Sequence, residues 1–426
     1  MKIQKILKRL LRLHPKSVDL SLNRIKRLLK DLNNPEKKIN NPIQVIGTNG
    51  KHSFCSTLRE IVETAGYKVN LNISPSLKKF NERYYLSGKH ISDDELYELL
   101  TEVEKINKNK NITFHEFICA CFFLAASRNK SDINILESGL FFRLDASNVL
   151  DKNIASVIMP IGIDHKDFLK KGTIDEIVYE KCSHLLSGSK IFISEQKHNI
   201  LEKIKKNIVN NTSEKIIFGK DYNYKKNSNN FVYNDSLGQI NLPLPNLLGD
   251  FQISNVSTAI ATSRKLDEFK ISDLNIKQAI TKIRSEGRLQ NITQGKLRNY
   301  VSKNNQILID GAHNTLAALE VEKYLKSLNS GKKIIMLLGM MANKEHREFI
   351  QIFKNRIHSI ITLDIPNQEN FIGKVELSKI AQSCGIDSKA GNSIKSALKN
   401  IAKENSDAII FCTGSLYFAG EILNLN

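Results

Sequence analysis

One short stretch constrains the fold more than any other. A β-branched run at 43–46 leads straight into Gly47-Thr48-Asn49-Gly50-Lys51-His52-Ser53, and a helical pattern follows at 53–65. From there the chain keeps alternating short apolar runs (133–136, 155–159, 191–193) with helical patterns (93–105, 113–127). That alternation is the signature of a mostly parallel sheet covered by helices. Between Asn207 and Leu247 the texture changes to Asn, Lys and Tyr with two prolines. This predicts a small antiparallel insertion, although a solvated loop would share the composition. A second α/β series follows, with strands at 307–309, 333–338, 359–363 and 408–412 and helices at 316–328, 346–356, 375–384 and 393–404. The expectation is an α/β chain of two domains: 1–285, a P-loop-type mostly parallel sheet, and 286–426, a Rossmann-like α/β domain.

A glycine-rich turn between a strand and a helix N-terminus offers converging backbone N–H groups, which suits a polyphosphate. Lys51 would meet the outer phosphates, and the Ser53 hydroxyl would reach a phosphate-bound magnesium. The strict Walker pattern fails, because Val45 stands where its first glycine belongs and His52 follows the lysine. An ordinary glycine turn is the rival reading of the loop taken alone.

Composition narrows the classes of partner. The 63 Lys and Arg exceed the 44 Asp and Glu, giving a formal charge of +19. Such a charge suits polyanions, from nucleotides to nucleic acid. Lys, Asn and Ile are over-used throughout, however, so compositional bias accounts for much of it. No nucleic-acid-binding motif accompanies the charge, and none is expected to act. Six cysteines form no CxxC pair and no Cys/His set at zinc spacing, which fits free thiols in a reducing cytoplasm. An apolar run starting at Phe117 is too short for a bilayer, and no membrane association is expected. The basic N-terminal stretch carries Ile3, Ile6, Leu7, Leu10 and Leu11 at helical spacing, so an amphipathic helix is expected there rather than a targeting segment.

Beyond these readings, the loop resembles the GTNGKGS element of the folylpolyglutamate synthase and dihydrofolate synthase family, within the Mur ligase superfamily. Further segments follow in family order. Ser74-Pro75-Ser76-Leu77 with Phe80-Asn81-Glu82-Arg83 is similar to SPHL…FNER, and Phe114-His115-Glu116-Phe117 to FFEF. Glu137-Ser138-Gly139-Leu140-Phe141-Phe142-Arg143-Leu144-Asp145-Ala146-Ser147-Asn148 resembles EVGLGGRLDATN. Ile161-Gly162-Ile163-Asp164-His165, Glu180-Lys181, Gly287-Arg288 and Asp310-Gly311-Ala312-His313-Asn314 complete the series.

The resemblance implies a Mur ligase-like fold and a ligase that joins L-glutamate to dihydropteroate or to the glutamyl tail of folates. The route is an acyl phosphate made from ATP. Thr48, Asn49, Gly50 and Lys51 would hold the nucleotide, joined by Asn255, Arg288 and Asp310. Lys51, Lys181 and His313 would be catalytic. Ser53, Ser74, Glu137 and His165 would serve two magnesium ions, although a lone His such as His165 is more often a hydrogen-bonded residue. The family carbamylates the lysine at the position of Lys181; only the Glu-Lys core of that segment matches. Leu20, Phe114, Glu116, Arg143 and Asp145 would contact the acyl substrate, and Asp19 and Arg24 lie in the segment near the pteridine. For that pteridine segment, an amphipathic helix packed on the sheet is the rival reading. A cytoplasmic monomer is expected.

Three departures stand out: His52 for a loop glycine, Ser76 for the His of SPHL, and Phe141-Phe142 for a glycine pair. The aromatic pair would reshape the pterin pocket or stack on its ring. The alternatives are a Mur-type ligase for another acyl substrate and a folate- or nucleotide-binding paralogue without catalysis.

Overall fold

The structure is a computed structural model describing residues 2–16 and 18–426. It divides into two compact units, one of Met1–Asn246 with Ile253–Ile283, the other of Leu247–Gln252 with Arg284–Asn426.

In the first unit the β-branched runs become strands buried along their whole length, as a sheet covered on both faces requires. Its eight-stranded sheet runs in the order Lys89–His90, Tyr84–Leu86, Val69–Asn72, Ile133–Glu137, Pro42–Ile46, Ala155–Ile158, Lys190–Ile193, Glu214–Ile217. The first two strands are antiparallel additions and the other six run parallel. Register pairs Val45 with both Glu137 and Val157, so the loops after these three central strands leave the same sheet edge. That carboxyl edge is where open α/β sheets bind ligands. One apolar cluster is built largely from the helices Asn23–Asp31, Asp93–Asn107 and Phe114–Arg128. A second lies under Ile174–Cys182 and His198–Asn207.

The 207–247 region resolves into two parts. Glu214–Ile217 extends the parallel sheet as its edge strand, and only the three strands Tyr222–Lys226, Asn230–Asp235 and Gly238–Pro243 form the expected antiparallel sheet. The second unit has a six-stranded sheet in the order Gln290–Asn291, Gln306–Ile309, Ala408–Thr413, Lys333–Leu338, Ser359–Thr362, Ser388–Ala390, parallel except for its first pair. The helix expected at 346–356 ends earlier, as His346–Ile352.

Val69–Asn72 is a central strand that a search for continuous β-branched runs passes over, because asparagine alternates with its apolar residues and is nevertheless buried. Asn70 is tolerated there because its amide is matched on both sides: it donates to Asn129 O (2.9 Å) and Asn134 Oδ1 (3.0 Å) and accepts from Ser87 N (3.0 Å). All six cysteines are free and buried. Among the described residues, no helix is long and apolar enough to cross a membrane.

Candidate active site

The loop after Pro42–Ile46 is fastened from behind. Thr48 N and Asn49 N donate to Pro160 O (2.9 and 3.2 Å), and Thr48 Oγ1 donates to Gly162 O (3.1 Å). Gly50 has φ of 80°, and an added Cβ would sit 2.5 Å from Asn255 Oδ1. Only glycine combines that backbone with so close an approach. Asn255, on the helix Asp250–Lys265, therefore belongs beside the loop within the first unit.

Two lysines meet at the loop's first carbonyl. Lys51 Nζ donates to Gly47 O (3.0 Å) and Thr48 O (3.3 Å), while Lys181 Nζ donates to the same Gly47 O (3.0 Å) and to Leu140 O (2.8 Å). Both are buried. Burial first, then the neighbouring Lys51, draws Lys181 down to about 7, with Asp164 pulling weakly the other way. Lys51 and a partly protonated Lys181 share one carbonyl acceptor, so positive charge here is poorly compensated by the chain itself, and an anion arriving here would relieve it.

Glu137 closes its strand, is 5% exposed, and accepts from Ser74 N at 3.3 Å. Ser74 Oγ in turn accepts from Arg83 (3.2 Å). Ser53 is buried in the first turn of Lys51–Thr64. His165 has φ of 57° and lies next to Asp164, whose Oδ1 accepts its backbone N–H (2.8 Å). Among the described residues, no three His, Cys, Asp or Glu converge as a ready-made metal cage. Ser53, Ser74 and Glu137 are hard oxygen donors, and this set fits magnesium, which takes one or two carboxylates and shares the rest with water and phosphate.

Of the expected acyl-substrate contacts, several are engaged inside the chain. Glu116 Oε2 accepts from Thr113 N and Oγ1 (2.8 Å each) and from Arg24 Nε (2.9 Å), closing the capping box of Phe114–Arg128. Arg24 also holds Asp19 (2.7 Å). Arg143 grips Glu180 through Nε (3.0 Å) and Nη2 (2.8 Å). Asp145 accepts from Ser147 N (2.9 Å), Ser147 Oγ (2.6 Å), Gly139 N (3.0 Å) and His115 Nε2 (3.3 Å). Burial opposes its charge, but His115 and Ser147 outweigh it and hold the carboxyl below its ordinary value. Leu20 and Phe114 are half-buried on different apolar clusters.

Phe141 and Phe142 correct one expectation. They are 1% and 0% exposed and fill the core under Ile174–Cys182, so neither presents a face for a pterin to stack on. Phe141 lies 5.5 Å below Lys181 Nζ. His115 is the polar group in this region that motif reading passed over; the signal was a histidine where FFEF has its second phenylalanine.

In the second unit, Asp310 accepts from Leu289 N (2.8 Å) and Ala312 N (2.7 Å). Burial pushes its carboxyl up, with Arg288 opposing. His313 Nδ1 lies 2.9 Å from Gly311 O, and Asn314 caps Thr315–Ser327. Arg288, Asp310 and His313 thus gather at one turn, and Arg288 Nη1 would stand 2.9 Å from a Cβ at Gly311.

A parallel sheet whose glycine loop is lined by buried lysines defines a class, the ATP-dependent amide-forming ligases of the Mur type: residues 45–263 match the Mur ligase middle domain. Residues 293–425 match the dihydrofolate synthetase C-terminal domain. The chain is 30% identical over 387 residues to the dihydrofolate synthase/folylpolyglutamate synthase of Buchnera aphidicola, covering 89% of this chain and 88% of that one. To the Bacillus subtilis protein of the same description it is 27% identical, with 94% of each covered. The chain belongs to the dihydrofolate synthase/folylpolyglutamate synthase family. Its fold matches Escherichia coli FolC in complex with DHPP and ADP (TM-score 0.87, 23% identity, 99% of this chain and 97% of that chain). It also matches the Yersinia pestis bifunctional enzyme complexed with AMPPNP and Mn ion (TM-score 0.86, 22% identity, 99% and 97%).

Proposed function

We propose that this chain ligates L-glutamate to dihydropteroate, to the glutamyl tail of folates, or to both, by way of an acyl phosphate. The observation that carries the reading is the convergence of Lys51 and Lys181 on the Gly47 carbonyl, at the carboxyl edge of the sheet. Joining a carboxylate to an amine in water is uphill, so the carboxylate is first phosphorylated by ATP and glutamate's amino group then displaces phosphate. The catalytic burden is alignment and charge neutralisation.

Thr48 and Asn49, whose backbone N–H groups hold Pro160 O, would shape the loop and offer their side chains to the nucleotide, and Gly50 would bring the backbone close to the phosphates, while Lys51 leaves the Gly47 carbonyl for the transferring phosphoryl oxygen. Asn255 would line the nucleotide beside Gly50, and Arg288 and Asp310 would contact it from the second unit's turn, with His313 acting near the reacting groups. Ser53, Ser74, Glu137 and His165 would hold two magnesium ions. Bound magnesium would neutralise phosphate charge. An amine held near 7 is substantially unprotonated at neutral pH, the form in which Lys181 would take up CO2 as a carbamate. The proposal places a monomer in the cytoplasm, with the 1–285 and 286–426 segments as its working domains.

The test is ADP release with ATP, Mg²⁺ and L-glutamate, with dihydropteroate in one tube and tetrahydrofolate in another. Turnover that Lys51→Ala abolishes is expected; the tube that turns over identifies the step. Silence in both from protein that binds ATP would overturn the assignment.

A further inference from the structure

Resting on the proposed ligation, we infer that Gln196 is a positioning residue for the nucleotide half of the reaction: its side-chain amide fixes the 159–162 segment and, through it, the phosphate loop. Gln196 follows the strand Lys190–Ile193 at the carboxyl edge of the sheet, outside every motif of the family series. The segment it meets begins where Ala155–Ile158 ends and passes behind the glycine loop. Met159 N is spent on Ile46 O (2.7 Å), and Pro160 has no N–H to give. The remaining groups face two ways. Pro160 O accepts from Thr48 N (2.9 Å) and Asn49 N (3.2 Å), on the loop side. On the other side, Gln196 Nε2 donates to Met159 O (3.1 Å) and Gln196 Oε1 accepts from Ile161 N (3.1 Å), so one amide closes over both peptide groups that flank Pro160. Nε2 also donates to Ser194 Oγ (3.2 Å), a buried hydroxyl just past the strand, which ties the amide to the sheet.

A primary amide suits this place because it sets an acceptor beside two donors. A glutamate would accept from Ile161 N but press its second oxygen against Met159 O. The clamp reaches the phosphate loop at two further points. Thr48 Oγ1 donates to Gly162 O and accepts from Gly162 N (3.1 Å each). Gly47 packs so closely on Met159 that an added Cβ would lie 2.8 Å from Met159 Cβ and 2.9 Å from its carbonyl oxygen. Gly47 O is the atom that Lys51 and Lys181 share, so a shift of Met159 is passed to both lysines. The acyl-substrate candidates are held otherwise: Glu116 by Thr113 and Arg24, Arg143 by Glu180, Asp145 by Ser147. None of those bonds runs through Gln196. Its amide therefore governs how the nucleotide is held and leaves the acyl substrate alone.

Gln196→Glu and Gln196→Met test the inference in the full chain, by steady-state kinetics with ATP and dihydropteroate varied in turn and by calorimetric binding of ADP with Mg²⁺. Gln196→Glu should raise KM for ATP and weaken ADP binding about tenfold, and Gln196→Met, which removes the amide without adding a charge, about fivefold. KM for dihydropteroate should stay within about twofold of wild type in both. Destabilisation alone would remove active molecules and lower kcat without separating the two KM values, so the split marks positioning. ADP binding within about twofold of wild type in either variant, or equal rises in KM for ATP and dihydropteroate, would overturn the inference. If the wild-type enzyme turns over neither folate substrate, it is the ligation that fails, and ADP binding still decides the role of Gln196; if it turns over and both variants bind ADP as the wild type does, only the inference fails.

Discussion

The two glycine-containing strand-end turns, Gly47 to Lys51 in the first unit and Asp310 to His313 in the second, solve opposite electrostatic problems. At Asp310 a buried carboxyl accepts two backbone N–H groups with Arg288 nearby, so the turn is closed by hydrogen bonds to that side chain even though burial pushes its carboxyl up. At Gly47 two buried lysines share one carbonyl, so the turn is held together by groups that would rather have an anion. The contrast teaches that one buried acceptor shared among backbone donors shapes a turn, whereas amines crowded on one shared acceptor keep donors to spare for a ligand.

Exchanging charges in each turn sharpens this contrast. Lys51→Ala should lower kcat/KM by about 100-fold or more, the usual loss when a preorganised electrostatic contact to a transition state is removed, while leaving the urea midpoint nearly unchanged. Asp310→Ala should do the reverse first. With Leu289 N and Ala312 N stranded, it should cost about 3 kcal/mol in urea denaturation. If Lys51→Ala instead unfolds the protein and leaves turnover intact, the contrast is broken.

Lys181 gives a pH signature. Its folded value of about 7 lies below the ordinary 10.5, so the unfolded chain binds a proton that the folded chain lacks between those values. This group's contribution to stability therefore rises with pH across that window and is flat below it. In carbonate-free buffer, Tm of the wild type relative to Lys181→Met should climb from about pH 7 to about 10.5; parallel curves would show that the amine stays charged in the fold. The smallest effect belongs to a residue far from either turn's chemistry. Thr113→Ala removes the cap of Phe114–Arg128 and should cost about 1 kcal/mol in the same urea assay.

Legibility in the sequence followed the physics of each residue. Strands made of β-branched residues were plain because full burial demands them, and Lys333–Leu338 begins and ends where periodicity puts it. Val69–Asn72 was opaque because its stability depends on Asn70 meeting three partners distant in sequence. The glycine loop and Lys51 were readable from spacing. The pairing of Lys51 with Lys181 was not, since they stand 130 positions apart and only the fold brings both to Gly47 O. Phe141 and Phe142 looked like pocket residues beside a substrate motif, yet a loop folding back over the Ile174–Cys182 helix turns both rings into the core.

The most direct measurement follows one oxygen atom. With dihydropteroate labelled by heavy oxygen in its carboxylate, and ATP, Mg²⁺ and L-glutamate present, one labelled oxygen should appear in the inorganic phosphate released. That transfer is the mark of an acyl phosphate formed beside Lys51. Unlabelled phosphate accompanying the same amide product, or AMP in place of ADP, would contradict the account.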